Sequence, residues 1–239
     1  MNFKISSICL CFFVVAHATP PPPIGTFSIV ARDPLTGELG VAVQSKLVAV
    51  GAVVSFAQAN VGAIASQAWG NPSFGPRGLG LLAQGMNPKE VILGLTSIDP
   101  QREQRQLAIL DKDGNTSIHT GSHCFSWAGG KTGNNYAVQG NLLTGEEVIV
   151  AMSTVFEKQT GTLAERMIAS LHAGQNAGGD KRGRQSAALL VVREGWGYGG
   201  FNDRFRDLRV DDHPQPIQEL ERIYKIHCDL FPRPDKKLD

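Results

Sequence analysis

Thr26-Phe27-Ser28-Ile29-Val30-Ala31-Arg32-Asp33-Pro34-Leu35-Thr36-Gly37-Glu38-Leu39-Gly40-Val41-Ala42-Val43-Gln44-Ser45-Lys46 decides how this chain is read. Phe27, Ile29 and Ala31 alternate with Ser28, Val30 and Arg32, the period of a strand whose two faces meet different surroundings. Asp33 to Gly37 carries turn chemistry: a short acid that bonds its own backbone, a proline of fixed φ, and a glycine. Leu39, Val41 and Val43 make the returning strand.

Downstream, residues 52–56 and 61–66 read as further strands. Residues 77–84 form a helix candidate weakened by Gly78 and Gly80. A second starts at the cap Asn87 with Pro88 at its first position, and Val91, Ile92 and Leu95 give its apolar face. Strands return at 106–110 and 117–120, joined by the turn Asp111-Lys112-Asp113-Gly114-Asn115. Thr144 with Glu147, and Thr162 with Glu165, match the capping box and predict two firm helices. Residues 187–192 read as a buried strand, and a last helix is expected from about Pro214. Gly195 to Gly200 reads as a flexible hairpin tip, since it lacks the spacing and following helix of a dinucleotide loop. Segregated blocks of strands and helices predict an α+β fold in one domain, residues 26–239, with helices covering antiparallel sheets.

Upstream, Lys4 precedes the apolar run 5–15, which ends in Ala16-His17-Ala18, an A-x-A cleavage pattern. Residues 1–18 are therefore expected to be a secretory signal peptide, too short for a membrane anchor, and the product to be secreted. Thr19-Pro20-Pro21-Pro22-Pro23-Ile24-Gly25 is a stiff, extended pro-segment. The 239-residue chain has formal charge +1, so no basic excess exists to neutralise phosphates and nucleic acid is not an expected partner. Cys9 and Cys11 leave with the signal peptide; Cys124 and Cys228 remain, either as a disulfide or as two lone thiols. Asn115-Thr116-Ser117 is a glycosylation sequon consistent with export.

Thr26 stands at the first position of the first strand, directly after Gly25. A threonine hydroxyl is a weak nucleophile because it holds its proton tightly. A free α-amine on the same residue titrates near pH 8 and can take that proton, provided the threonine is the first residue of the mature chain. Gly25 leaves room for the hydroxyl to approach the preceding carbonyl.

From Thr26 to about Leu220 the chain resembles the domain-of-unknown-function family 1028, placed among the N-terminal-nucleophile (Ntn) hydrolases. The resemblance is carried by 26–34 and 37–46, then by Gln67-Ala68-Trp69 with Asn71-Pro72-Ser73, Gln139-Gly140-Asn141, Gly183-Arg184-Gln185-Ser186-Ala187 and Asn202-Asp203. It implies a four-layer αββα sandwich with Thr26 as the catalytic nucleophile. The opening also resembles proteasome β subunits, in which a Gly-Thr bond is cut to free the threonine. Those subunits carry an acidic residue where this chain has Gln44 in Ala42-Val43-Gln44-Ser45-Lys46, leaving Ser45 or Lys46 to take over its part.

Acyl transfer also needs donors aimed at a developing oxyanion, and Asn141, Asn71 and Gln67 are candidates. Arg77, Arg184 and Asp180, in glycine-rich loops, are candidates for substrate binding. His119, His123 and Cys124 lack the spacing of a zinc site, so no metal and no other cofactor is expected. The expected activity is hydrolysis of a small or peptide-like amide through a threonyl ester. The rival is an inactive Ntn-fold binding protein that keeps its proline segment. Neither reading excludes a homo-oligomer.

Overall fold

The computed structural model describes residues 25–235. The expected signal peptide and the proline-rich segment before Gly25 lie outside the described residues.

The opening hairpin forms as its alternation predicts. Strands β1 (Thr26–Arg32) and β2 (Leu39–Ser45) pair antiparallel, with Thr26 opposite Ser45. The turn between them is closed by Asp33, whose Oδ1 accepts from Leu35 N at 2.8 Å, and by Gly37 at φ 75°. Residues 52–56 depart from expectation. Val50–Val54 is a short helix, α1, and only Ser55–Gln58 is a strand, β3. Val50 and Val54, one helical turn apart, are both buried, so packing overrides the β preference of the valines. β4 (Gly62–Ala68) follows, then helices α2 (Phe74–Ala83) and α3 (Pro88–Ser97). Asn87 caps α3 as read, in a capping box completed by Glu90.

β5 (Arg105–Asp111) and β6 (Thr116–Thr120) form a hairpin over the expected turn, and β7 (Gly129–Gly133) and β8 (Tyr136–Asn141) form another. Helix α4 (Glu147–Lys158) begins without the expected box. Its cap position is Glu146, and the Thr144 hydroxyl donates to Ala177 O at 3.4 Å instead. Helix α5 (Leu163–Asn176) keeps its box, with Thr162 accepting from Glu165 N. β9 (Ser186–Val192), β10 (Arg204–Val210) and α6 (Pro216–Leu230) complete the chain, and residues 195–200 lie at the β9–β10 hairpin tip as expected.

Two antiparallel sheets result, with strand orders β10-β9-β2-β1-β8-β7 and β3-β4-β5-β6. Phe27, Ile29, Leu189 and Val191 on the outer face of the larger sheet pack under Met152, Leu171 and Leu220 of α4, α5 and α6. Ile64, Leu107 and Ile109 of the smaller sheet pack under Leu79, Val91 and Leu95 of α2 and α3. Between the sheets lie Val30, Val41, Val43, Ala63, Ala108 and Leu110. The fold is thus α+β, two face-to-face sheets with helices on both outer faces, which agrees with the layering expected.

Among the described residues no helix is long and apolar enough to cross a membrane. Cys124 and Cys228 are both free, so the lone-thiol reading holds here.

Candidate active site

The layer between the sheets changes character along β1. Val30 faces apolar partners, but Ser28 and Thr26 on the same face meet polar ones, because strand alternation carries β1, β4, β5 and β8 into a common polar end. Thr26 is opposite Asn141 and Ser28 opposite Gln139 across the β1–β8 ladder, while Gln67 is opposite Gln106 across β4–β5. All six side chains are buried. Ser28 Oγ donates to Gln67 Oε1 at 2.6 Å, and Gln67 Nε2 donates to Gln106 Oε1 at 2.8 Å and to Thr26 O at 3.2 Å. Asn141 Nδ2 donates to Gln106 Oε1 at 3.1 Å, and Gln106 Nε2 donates to Gly140 O at 2.8 Å. The network fixes the backbone under Thr26 from both sheets, since the Gln67, Gln106 and Gln139 amides are each held at more than one point. Asn141 Oδ1 is buried without a protein partner.

β4 and β8 each turn sharply at the residue after their site glutamine or asparagine. Ala68 has φ 64° and Leu142 φ 53°, left-handed values that cost a residue with a side chain of order 1 kcal/mol or more. The two departures sit directly behind Gln67 and Asn141 and redirect the chain away from the polar end.

At the mouth of this end, Thr26 Oγ1 donates to Ser45 Oγ at 3.0 Å, and Ser45 Oγ donates to Gly25 O at 2.5 Å. The same carbonyl accepts from Arg182 Nη2 at 2.8 Å. The carbonyl carbon that precedes Thr26 is therefore polarised by a hydroxyl and a guanidinium, and the threonine hydroxyl is linked to the same carbonyl oxygen by two hydrogen bonds through Ser45. Arg182 is held by Asp180: Nη2 lies 2.7 Å from Oδ2 and Nε 3.1 Å from Oδ1. Asp180 also accepts from the backbone amides of Arg182 at 2.9 Å and Lys46 at 3.1 Å. Its loop is pinned to both site strands, with Lys181 N donating to Leu142 O at 2.9 Å and Gln185 N to Ser45 O at 3.0 Å. Gly178 and Gly179, at φ 119° and 61°, make the bend that delivers Asp180.

Of the residues the sequence offered, Thr26, Ser45, Gln67, Asn141 and Asp180 are brought together at this end. Asn141 does not donate to the Gly25 carbonyl; the donors there are Ser45 and Arg182. Lys46 contributes its backbone amide while its side chain is exposed. Asn71 Oδ1 accepts from Ser73 N at 3.0 Å and Ser73 Oγ at 2.7 Å, so its side chain closes the turn into α2. Arg77 and Arg184 are exposed on α2 and on the loop before β9. Gln44 is opposite Phe27, so it shares the helix-facing side of the sheet and not the Thr26 side, and both its amide atoms are buried without a protein partner. Gln106 was not singled out in the sequence, and Arg182 only within the basic cluster Lys181, Arg182 and Arg184, which reads as a solvated loop or a substrate-facing pair. Gln106 had a signal, because it occupies a core-facing register position two before Ala108. For Arg182 the cluster did not point to its partner, since the carbonyl it binds is 157 residues away. His119 Nε2 meets Arg102 O at 3.0 Å, and no group of three or more metal-type ligands occurs among the described residues.

No curated protein sequence matches this chain. It is similar to the protein SPO2555 of Silicibacter pomeroyi, a DUF1028 family member of known crystal structure. The identity is 34%, the TM-score 0.79, and the match covers 85% of this chain and 86% of that one. It is far less similar to Anbu, an ancestral beta-subunit from Yersinia bercovieri. There the identity is 12% and the TM-score 0.36, over 89% of this chain and 100% of that one, a likeness too low to bear on the fold. The family model described as "Family of unknown function (DUF1028)" matches residues 26–220, opening at Thr26 itself. The chain belongs to family DUF1028.

Proposed function

We propose that this chain is a secreted amide hydrolase of the N-terminal-nucleophile type, with Thr26 as the nucleophile. The observation that carries this reading is the relay from Thr26 Oγ1 through Ser45 Oγ to the Gly25 carbonyl, with Arg182 on the same oxygen. Four features that a first turnover needs are assembled at one peptide bond: a hydroxyl, a proton path, two oxyanion donors and a rigid strand mount.

The chain's first substrate is then its own Gly25–Thr26 bond. Thr26 Oγ adds to the Gly25 carbonyl carbon, and its proton passes to Ser45 and on to the departing nitrogen as the C–N bond breaks. The negative charge on the carbonyl oxygen is met by Ser45 and Arg182. The resulting ester joins Gly25 to Thr26 Oγ, and water hydrolyses it to a Gly25 carboxylate and a threonine with a free amine. That amine titrates near pH 8 and thereafter serves as the base for external amides. The second cycle is the same chemistry: attack, amine release, threonyl ester, hydrolysis. The leader at 1–18, with its A-x-A site, supports delivery to the secretory pathway.

The test is a Thr26→Ala variant beside the wild type, both expressed as the full chain and assayed on a panel of peptide and small-molecule amides. The reading expects wild-type hydrolysis from chains that begin at Thr26, and none from the variant. A wild-type chain that retains residues 19–25 and hydrolyses nothing would instead be the inactive binding protein.

A further inference from the structure

Building on that reading, we propose that the site admits only acyl groups without a β-carbon on the residue supplying the scissile carbonyl, so its substrates are glycyl and peptidyl-glycyl amides. The ester formed from Gly25 and the ester formed from an external substrate are the same chemical species, an acyl group on Thr26 Oγ. Its carbonyl oxygen has the same two donors, Ser45 Oγ and Arg182 Nη2. The residue that donates the acyl group therefore lies where Gly25 lies.

That place is closed. A β-carbon on residue 25 would stand 2.7 Å from Asp180 Oδ1, 2.8 Å from its Cγ and 2.9 Å from its Oδ2, closer than side-chain carbons approach other atoms. The carboxylate is fully buried at its side chain and cannot swing aside as a surface acid would. It is fixed by the backbone amides of Lys46 and Arg182 and by two nitrogens of the Arg182 guanidinium. Moving it would also displace Arg182 from the carbonyl oxygen, so a methyl group would disturb the donor along with the pocket. Selection for glycine thus comes from a charged wall shared with the oxyanion donor.

The experiment compares N-acetylglycyl, N-acetyl-L-alanyl and N-acetyl-L-leucyl p-nitroanilides, using protein secreted from the full chain with its N-terminus read by sequencing. The expected result is kcat/KM at least about 100-fold higher for the glycyl substrate than for the alanyl one, with no measurable leucyl hydrolysis. Asp180→Ala is expected to lower overall activity while shrinking the glycyl-to-alanyl ratio by about 10-fold, a change that a merely structural role would not produce. If alanyl and leucyl substrates are cleaved within threefold of glycyl, and Thr26→Ala abolishes all three, the glycine restriction is wrong while the hydrolase reading stands. If none of the three is cleaved by chains beginning at Thr26, the hydrolase reading itself fails and takes this inference with it. Should Asp180→Ala not fold, the wild-type ratio alone decides.

Discussion

Replacing Ser45 with alanine separates the proposed proton path from the fold that carries it. The hydroxyl makes two hydrogen bonds in a fully buried position, accepting from Thr26 Oγ1 at 3.0 Å and donating to Gly25 O at 2.5 Å. Each ordinary hydrogen bond contributes about 1 kcal/mol net, so the variant should lose about 2 kcal/mol of stability. For a domain of this size that lowers Tm by roughly 4–8 °C, which leaves a folded protein at 25 °C. The effect on cleavage should be larger, because removing one preorganised oxyanion donor typically slows acyl transfer by about 100- to 1000-fold. Arg182 Nη2 stays on the carbonyl at 2.8 Å, so the rate should fall without reaching zero. The assay follows the fraction of chains, synthesised at full length in a cell-free extract, that come to begin at Thr26 with time, with Tm measured on the same material. A Ser45→Ala chain that frees Thr26 at the wild-type rate would remove Ser45 from the chemistry and refute the relay.

Two further predictions concern stability. Asp99 and Arg105 form a pair at 2.7 Å whose side chains are each 8% exposed, and Arg105 also donates to Gln101 Oε1 and to the Trp69 carbonyl. Asp99→Ala leaves the guanidinium buried with its charge uncompensated, which should cost about 3 kcal/mol and lower Tm by roughly 6–12 °C in calorimetry. The hydrogen bond from Arg105 holds the Asp99 carboxyl below its usual 3.8, so its contribution is full above that pH and lost as pH falls through the lower, folded value. His227 behaves oppositely in chemistry but alike in sign. Burial, then the neighbouring Arg206 charge, pushes its pKa below 6.5, so the folded protein keeps it neutral where the unfolded chain binds a proton. Stability from this group should be full above about pH 6.5 and decline as pH falls below it, and His227→Gln should flatten that part of a urea-unfolding series.

The parts of the fold legible in sequence were those fixed locally. The β1–β2 hairpin, the Asn87 cap and the Thr162–Glu165 box all follow from residues within a few positions of each other. Misreadings arose where distant packing decided. Thr144 and Glu147 have the spacing of a box, but the Thr144 hydroxyl reaches the carbonyl of Ala177 at the C-terminal end of α5. β10 was implied only by the hairpin tip before it and was given no bounds, because Arg204, Arg206, Asp207 and Arg209 break its apolar alternation. Yet Arg206 is 1% exposed, stacked 3.7 Å over the Phe205 ring and bonded to His227 Nδ1 at 2.7 Å from α6.

The site divides in the same way. Thr26 and Ser45 were visible because they end the two strands of one hairpin. Asn141 and Gln67 were visible as motif residues, but their shared partner Gln106 was needed to show them as one network. Arg182 lay in the basic run Lys181, Arg182, Arg184, whose ordinary fate is solvent. Only the loop geometry that pins Asp180 against β2 turns that arginine back onto the Gly25 carbonyl.

The most direct test of the whole account is the N-terminal sequence and intact mass of the protein exported by cells expressing the full chain. The account predicts Thr26 as the first residue, with its amine free, in the same fraction that hydrolyses amides. Export of an amide-hydrolysing protein that still begins at Thr19 would contradict it, because the nitrogen meant to act as the base would then be locked in a peptide bond.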